Sequence, residues 1–224
     1  MHPTNKELNI ARGIIERLKE MGLDTLDREK VNGFGRWAYK HRSELNAAGL
    51  MLSSGATKYV FISEQELENW VLKTNRTADD LCGLEAEIYE EAVNEGLGQY
   101  FAPCYKIEGA PGWCIMERVD VNEGEIRNFI IEGAAQHGVD CFDGYLDEGE
   151  DDDGPDWEAL YDYIDDLDDE DRLSCIYGEC DDLWKFMRKK ASKNHLNSDL
   201  HAGNFGVNDA DEVVIIDYSG FGGY

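Results

Sequence analysis

Asn197-Ser198-Asp199-Leu200-His201-Ala202-Gly203-Asn204-Phe205-Gly206-Val207, followed after a short gap by Val213-Val214-Ile215-Ile216-Asp217-Tyr218-Ser219, is the stretch that decides how the rest of the chain is read. Asp199 and Asn204 stand five apart across a turn containing Gly203, and Asp217 closes a run of four apolar residues with the pattern of a buried strand. Such a segment can gather two carboxylates and an amide around one point. Phosphoryl transfer asks for that set: one carboxylate to orient a hydroxyl and take its proton, an amide and a second carboxylate to hold magnesium on the phosphates. The same residues also suit local roles, with Asp199 capping a turn, Asn204 adopting a left-handed conformation and Asp217 ending a strand.

The order Asp199-Leu200-His201-x-Gly203-Asn204, then a short strand, a turn and Ile215-Ile216-Asp217-Tyr218-Ser219, resembles the catalytic and metal-binding loops of the protein kinase-like superfamily. The wording is similar to that of the aminoglycoside and choline phosphotransferase branch and of compact phage-encoded protein kinases. The resemblance implies Asp199 as catalytic base and Asn204 with Asp217 as magnesium ligands. Asn197-Ser198 stand where many protein kinases have His-Arg, so regulation through a phosphorylated activation loop is not expected.

Composition sets the outer bounds. The chain has 224 residues, 42% of them hydrophobic, with five Trp and eleven Tyr, enough for one sizeable core or two small lobes. Its formal net charge is -27, from 48 acidic and 21 basic residues, and its pI is near 4.3. Attraction to nucleic acid phosphates or to an anionic membrane surface is therefore not expected. Cysteines at 82, 104, 114, 141, 175 and 180 form no Cys-x-x-Cys pair, so they read as reduced core thiols of a cytoplasmic protein. No apolar run approaches membrane-spanning length, and the charged N-terminus is unlike a signal peptide.

Along the chain, Ile10, Ile14, Ile15, Leu18 and Met21 recur at helical spacing before Gly22, and a second helical segment runs from Leu26 to Leu45. Both read as an accessory element packing on the sheet-bearing lobe. From Gly49 the texture changes to short strands: Leu52 to Ile62 is a strand, a tight turn and a strand, and Asn69 to Thr74 is a third. The resemblance implies that backbone amides of Ser54, Gly55 and Ala56 approach the phosphates of ATP and that Lys73 reaches them too, although a surface lysine on a hairpin would look alike. One glycine stands in that turn where the family has two or three. Residues 78 to 94 read as a helix. Glu85 precedes Ile88 by three, in a Glu-x-x-Ile order similar to the family's, which implies that it pairs with Lys73, whereas Glu87 lies about 200° further round the helix. Two strands, Cys104 to Ile107 and Trp113 to Val119, flank Gly109-Ala110-Pro111-Gly112, a hairpin signal. By resemblance to the family's hinge, Met116 lines the adenine pocket and the backbones of Glu117 and Val119 hydrogen-bond the base.

A helix is expected from Gly124 to His137. Between Asp143 and Asp182 stand nineteen acidic residues and one basic, Arg172, so this segment supplies -18 of the -27. Trp157, Leu160, Tyr161, Ile164 and Leu167 recur at helical spacing within it, so it reads either as a solvated acidic face or as a docking surface for a basic protein. A longer helix is expected from Leu173, with Ile176, Cys180, Leu183, Trp184 and Met187 inward. The chain stops seven residues after Asp217, without the family's activation segment and later helices.

The expected fold class is α+β: a two-lobed kinase-like fold with an N-terminal helical extension at 1–48, a sheet-bearing lobe at 49–119 and a truncated helical lobe at 120–224. The expected activity is magnesium- and ATP-dependent phosphorylation of a serine or threonine on a basic host protein, in the cytoplasm. Two alternatives stand beside it. One is a catalytically silent, kinase-like acidic protein that binds a basic partner as a nucleic-acid mimic; the other is a small-molecule phosphotransferase of the aminoglycoside type.

Overall fold

A computed structural model describes residues 1–23, 34–54, 58–75, 80–137, 167–194 and 200–218 of the chain. The fold is mixed α and β, with a five-stranded antiparallel sheet, a two-stranded hairpin and helices. The chain divides into two compact units: Met1–Arg118 joined by Asp217 and Tyr218, and Val119–Ile216. Among the described residues no helix is long and apolar enough to cross a membrane.

The first unit begins with α1, Asn5–Glu20. Thr4 starts it with a capping box: the Glu7 N–H donates to the Thr4 hydroxyl, and the Glu7 carboxylate accepts from the Thr4 N–H at 2.6 Å. Arg17 and Lys19 in its last turn suit the negative end of the helix dipole. Ala11, Ile14, Ile15 and Leu18 form one buried stripe. Full burial of each larger aliphatic side chain is worth about 1.5–3 kcal/mol. A second helix, α2 (Phe34–Ala47), is held to the end of α1 by Trp37, whose indole N–H donates to the Met21 carbonyl at 2.7 Å.

The sheet consists of β1 (Met51–Ser54), β2 (Lys58–Ile62), β3 (Trp70–Asn75), β4 (Cys104–Lys106) and β5 (Trp113–Glu117), in the spatial order β1-β2-β3-β5-β4. Residues paired across antiparallel strands point to the same side, and the side alternates along each strand. Phe61 pairs with Leu72 and Leu72 with Ile115, so Tyr59, Phe61, Trp70, Leu72, Trp113 and Ile115 share one face. That face and the α1 stripe belong to a single apolar core. The helix read from the sequence as an accessory is thus the cover of one side of the sheet. The opposite face packs on α3 (Leu81–Asn94).

The second unit contains α4 (Glu123–His137), α5 (Asp169–Tyr177), α6 (Asp181–Asn194) and the hairpin of β6 (Phe205–Val207) and β7 (Val213–Ile215). The single long helix expected from Leu173 is instead two. Gly178, at φ +71°, ends α5 by donating to the Ser174 carbonyl, and Asp181 opens the next helix, leaving Cys180 between them. The expected acidic helix from Trp157 lies outside the described residues. Gly133 of α4 packs so closely on α5 that a Cβ there would stand 1.6 Å from the Cys175 carbonyl oxygen.

Two outcomes are expected from this packing. The Thr4 bonds hold the Glu7 carboxyl below its ordinary value of 4.5, so its stabilising share is complete above that pH and is lost as pH falls through the lower folded value. Thermal melts in acid should show Glu7→Gln with a flatter pH dependence than wild type. Gly133→Ala should lower stability by about 1–3 kcal/mol in denaturant unfolding, since the helix pair must move apart to admit one methyl group.

Candidate active site

The face of the sheet turned to α3 is where chemistry-bearing side chains collect. Val60 pairs with Lys73, Lys73 with Cys114, and Met116 with Cys104, so Lys58, Lys73, Cys114, Met116 and Cys104 all share it. The start of α3 is tied to the end of β3: Asn75 accepts from the Cys82 N–H at 2.9 Å, and Asp80 caps the helix by accepting from the Gly83 N–H at 2.9 Å. One turn further on, Glu85 points into the sheet with no solvent exposure.

The structure brings Lys73 and Glu85 together, with the Lys73 ammonium 2.9 Å and 3.0 Å from the two carboxylate oxygens. The ammonium also donates to the Met116 sulfur at 3.7 Å. Lys58 stands beside this pair. Its ammonium donates to Asp217 Oδ1 and lies 3.5 Å from Glu85 Oε1. Lys58 is 1% exposed and Lys73 5%, yet the side chain of Asp217 is 26% exposed. Burial opposes charge on each lysine, but the carboxylates of Glu85 and Asp217 outweigh it and hold both above the ordinary lysine value. Burial pushes the Glu85 carboxyl up, and Lys58 and Lys73 pull it back. Two ammoniums therefore face two carboxylates inside one protein unit.

Asp217 is held there by the residue after it. Tyr218 is fully buried, its N–H donates to Glu85 Oε1 at 3.3 Å, its hydroxyl donates to the Ala102 carbonyl at 2.9 Å, and its ring meets Phe101 edge-on. Beneath Glu85 lie three buried thiols. Hydrogen bonds with Cys104 and Cys82 hold the Cys114 thiol well below the ordinary value, while burial lifts the thiols of Cys82 and Cys104. Glu85, Cys104 and Cys114 bring three ligand atoms within 4.8 Å, but the ammonium of Lys73 already takes the carboxylate.

The other sequence-based candidates lie elsewhere among the described residues or outside them. Asn204 is buried at the end of a short 3-10 turn just before β6, and its carbonyl accepts from the Ile216 N–H at 2.9 Å. Asp199 lies outside the described residues. Its neighbour Leu200 is clamped by α5: the N–H donates to Asp169 and the carbonyl accepts from Arg172, both at 2.9 Å. Ser54 ends β1 opposite Tyr59, while Gly55 and Ala56 lie outside the described residues. The Glu117 N–H donates to the Pro103 carbonyl at 2.8 Å, which narrows what this residue can offer a base to its other groups. Val119 precedes the bridge between Asp120 and Val207. Cys82, Cys104, Cys114, Cys175 and Cys180 are free and buried, and Cys141 lies outside the described residues.

Sequence reading missed Lys58 and Tyr218. Lys58 is two residues from Val60 on a strand, and only the register between β2 and β3 puts it on the Lys73 side. An ammonium opening an otherwise apolar Tyr59-Val60-Phe61-Ile62 run was the available signal.

No family model matches the chain, and no curated protein matches it. Among solved structures, choline kinase LicA from Streptococcus pneumoniae is similar at 13% sequence identity with a TM-score of 0.36, over 80% of this chain and 66% of that one. The chain thus spans slightly less than two thirds of that structure. A likeness of this size leaves family and activity to be argued from the residues.

The network makes its own demand on stability. Glu85→Ala takes the nearest carboxylate from the buried Lys73 and one of two from Lys58, and should cost about 3–5 kcal/mol in denaturant unfolding. Tyr218→Phe, which loses one hydrogen bond, should cost about 1 kcal/mol. A Glu85→Ala midpoint equal to that of wild type would contradict the buried pairing.

Proposed function

We propose that this chain is a magnesium- and ATP-dependent phosphotransferase of the protein kinase-like type. The observation that carries the reading is the block of Lys58, Lys73, Glu85 and Asp217 in the first unit. Buried ion pairs are weak devices for stability, because the desolvation of each charge offsets most of the attraction and an apolar cluster would do as well. Charges held this way are better explained by a ligand that needs them, and a polyphosphate with its divalent cation is such a ligand.

The donor chemistry fits. Asp217 offers a hard carboxylate oxygen with one side open to solvent, the type of ligand magnesium prefers, and the lysines offer positive charge for phosphate oxygens. In this reading Asp217 and Asn204 would hold the magnesium, and Glu85 fixes the lysines in place. Asp199 orients the acceptor hydroxyl and takes its proton. Met116, with the backbones of Glu117 and Val119, would receive the adenine. ATP supplies the transferred phosphoryl group when bound. The acceptor is most simply a serine or threonine of a basic protein, because an enzyme with a charge of -27 attracts cationic partners.

Incubation with labelled ATP and magnesium tests this. Wild type should move label to itself or to a basic protein such as histone, and Asp199→Ala and Asp217→Ala should each lower the rate about 10²- to 10⁴-fold. Label moving only to an added aminoglycoside would replace the protein substrate with a small cation. No transfer, with equal capture of one basic partner by wild type and both variants, would replace the enzyme with an acidic binding protein.

A further inference from the structure

We propose that Asp169 and Arg172 are positioning residues of the transfer reaction, acting through the backbone of Leu200, the residue between the base Asp199 and the turn that carries Asn204; the proposal rests on the phosphotransferase reading and deepens it.

The direction of the two charges is the first reason. Arg172 is 4% exposed, and its Nη1 donates to the Leu200 carbonyl at 2.9 Å, nearer than the 3.7 Å that separates it from Asp169 Oδ1. Asp169 Oδ1 accepts from the Leu200 N–H, also at 2.9 Å. Hydrogen bonds with one charged partner are the strong kind, and these two end on the N–H and C=O of a single residue whose side chain is fully buried. A buried guanidinium is a poor device for stability, since an apolar side chain would serve as well. Its use on one backbone residue points to a need for that backbone to be held in place.

What Leu200 is joined to is the second. Its N–H belongs to the planar peptide unit shared with Asp199, so a bond to that N–H fixes the plane from which the base departs. Its carbonyl belongs to the unit shared with His201. From there the chain is tied to itself: the Gly203 N–H donates to His201 Nδ1 at 3.1 Å and the Asn204 N–H to the His201 carbonyl at 2.8 Å. The Ile216 N–H then holds the Asn204 carbonyl at 2.9 Å. The stretch from Leu200 to Asn204 is thus gripped at both ends, by α5 and by the residue after β7.

The rigidity of the clamp itself is the third. Asp169 and Arg172 stand three apart on α5 and so share a face, and Asp169 lies in the first turn, where the helix dipole favours a carboxylate. The close approach at Gly133 locks α5 on α4. Such support matters for rate, because a shift of about 1 Å in a reacting group costs on the order of a hundredfold. Lys73, Glu85 and Met116, which serve ATP in this reading, belong to the first unit, so loss of the clamp should spare nucleotide binding.

The test is steady-state transfer from magnesium ATP to histone or, if it accepts label instead, to an aminoglycoside, with rates corrected for the folded fraction by circular dichroism. Arg172→Met and Asp169→Ala should lower kcat about ten- to a hundredfold and leave KM for ATP within about threefold of wild type. Arg172→Lys and Asp169→Asn, which keep a donor and an acceptor, should recover most of kcat. Tyr177→Phe removes the hydroxyl by which α5 donates to the Val213 carbonyl at 3.1 Å, and should lower Tm while keeping the wild-type kcat. Where Arg172→Met or Asp169→Ala does not fold, Asp169→Asn against Asp169→Glu decides: the amide keeps the reach, the longer carboxylate does not, and Glu should be slower by about tenfold. Unchanged kcat in the clamp variants, or an equal fall in Tyr177→Phe, makes the pair an ordinary brace, overturns the inference and leaves the phosphotransferase reading standing. A wild-type chain that transfers no phosphoryl group removes both.

Discussion

The buried contact of Lys58 and Lys73 with Glu85 and Asp217 is the constraint on which the first unit depends. Lys58, Lys73 and Glu85 are taken out of water and lose hydration, and the loss is made good only while they keep their partners. That requirement sets geometry. It holds α3 against the sheet, because Glu85 must reach β3, and it returns the chain after Asp217 to the same unit, because Tyr218 donates to Glu85 and to Ala102. Three elements far apart in sequence are thereby bound to one carboxylate.

The sheet is built to support that polar block. One face is apolar and lies under α1, with Ile14, Ile15 and Leu18 of the helix in the same core as Phe61, Trp70, Leu72 and Ile115. The other face carries the lysines, the thiols and Met116 under α3. A close-packed core on one side fixes the backbone of β2 and β3, and a fixed backbone keeps the ammoniums from relaxing toward solvent. Catalysis by preorganised charge requires such a frame, since groups already in place need no reorganisation when a substrate arrives. Trp70 ties the sheet to the start of α1. Its ring belongs to the apolar core, and its indole N–H donates to Glu7, whose carboxylate also caps the helix.

The second unit shows a different use of charge. The segment between Asp143 and Asp182 is overwhelmingly acidic, and its one cation, Arg172, is nearly buried. Its guanidinium donates to the Leu200 carbonyl while Asp169 accepts from the Leu200 N–H, so an arginine and an aspartate of α5 grip the backbone beside Asp199. Gly206 serves close packing in the same unit: a Cβ there would come within 2.4 Å of Val119, so glycine lets β6 run against the Val119–Asp120 backbone. The Arg172 and Asp169 contacts fix the backbone of Leu200, the residue after the proposed base.

What the sequence by itself determined is local. The α1 stripe and its capping box, the β1–β2 and β4–β5 hairpins, α3, and the β6–β7 hairpin all come from apolar period, caps and turn residues, which act over a few positions. The meeting of Lys73 with Glu85 was also legible, through a resemblance of motif order and a helix phase that turns Glu87 away. Only the tertiary structure decided that Lys58 joins them, that Tyr218 is buried against Ala102, and that the helix after Leu173 breaks at Gly178. Strand register, the approach of distant segments and a backbone turned to positive φ are set by packing across the fold, and no spacing along the chain encodes which side chain will face which.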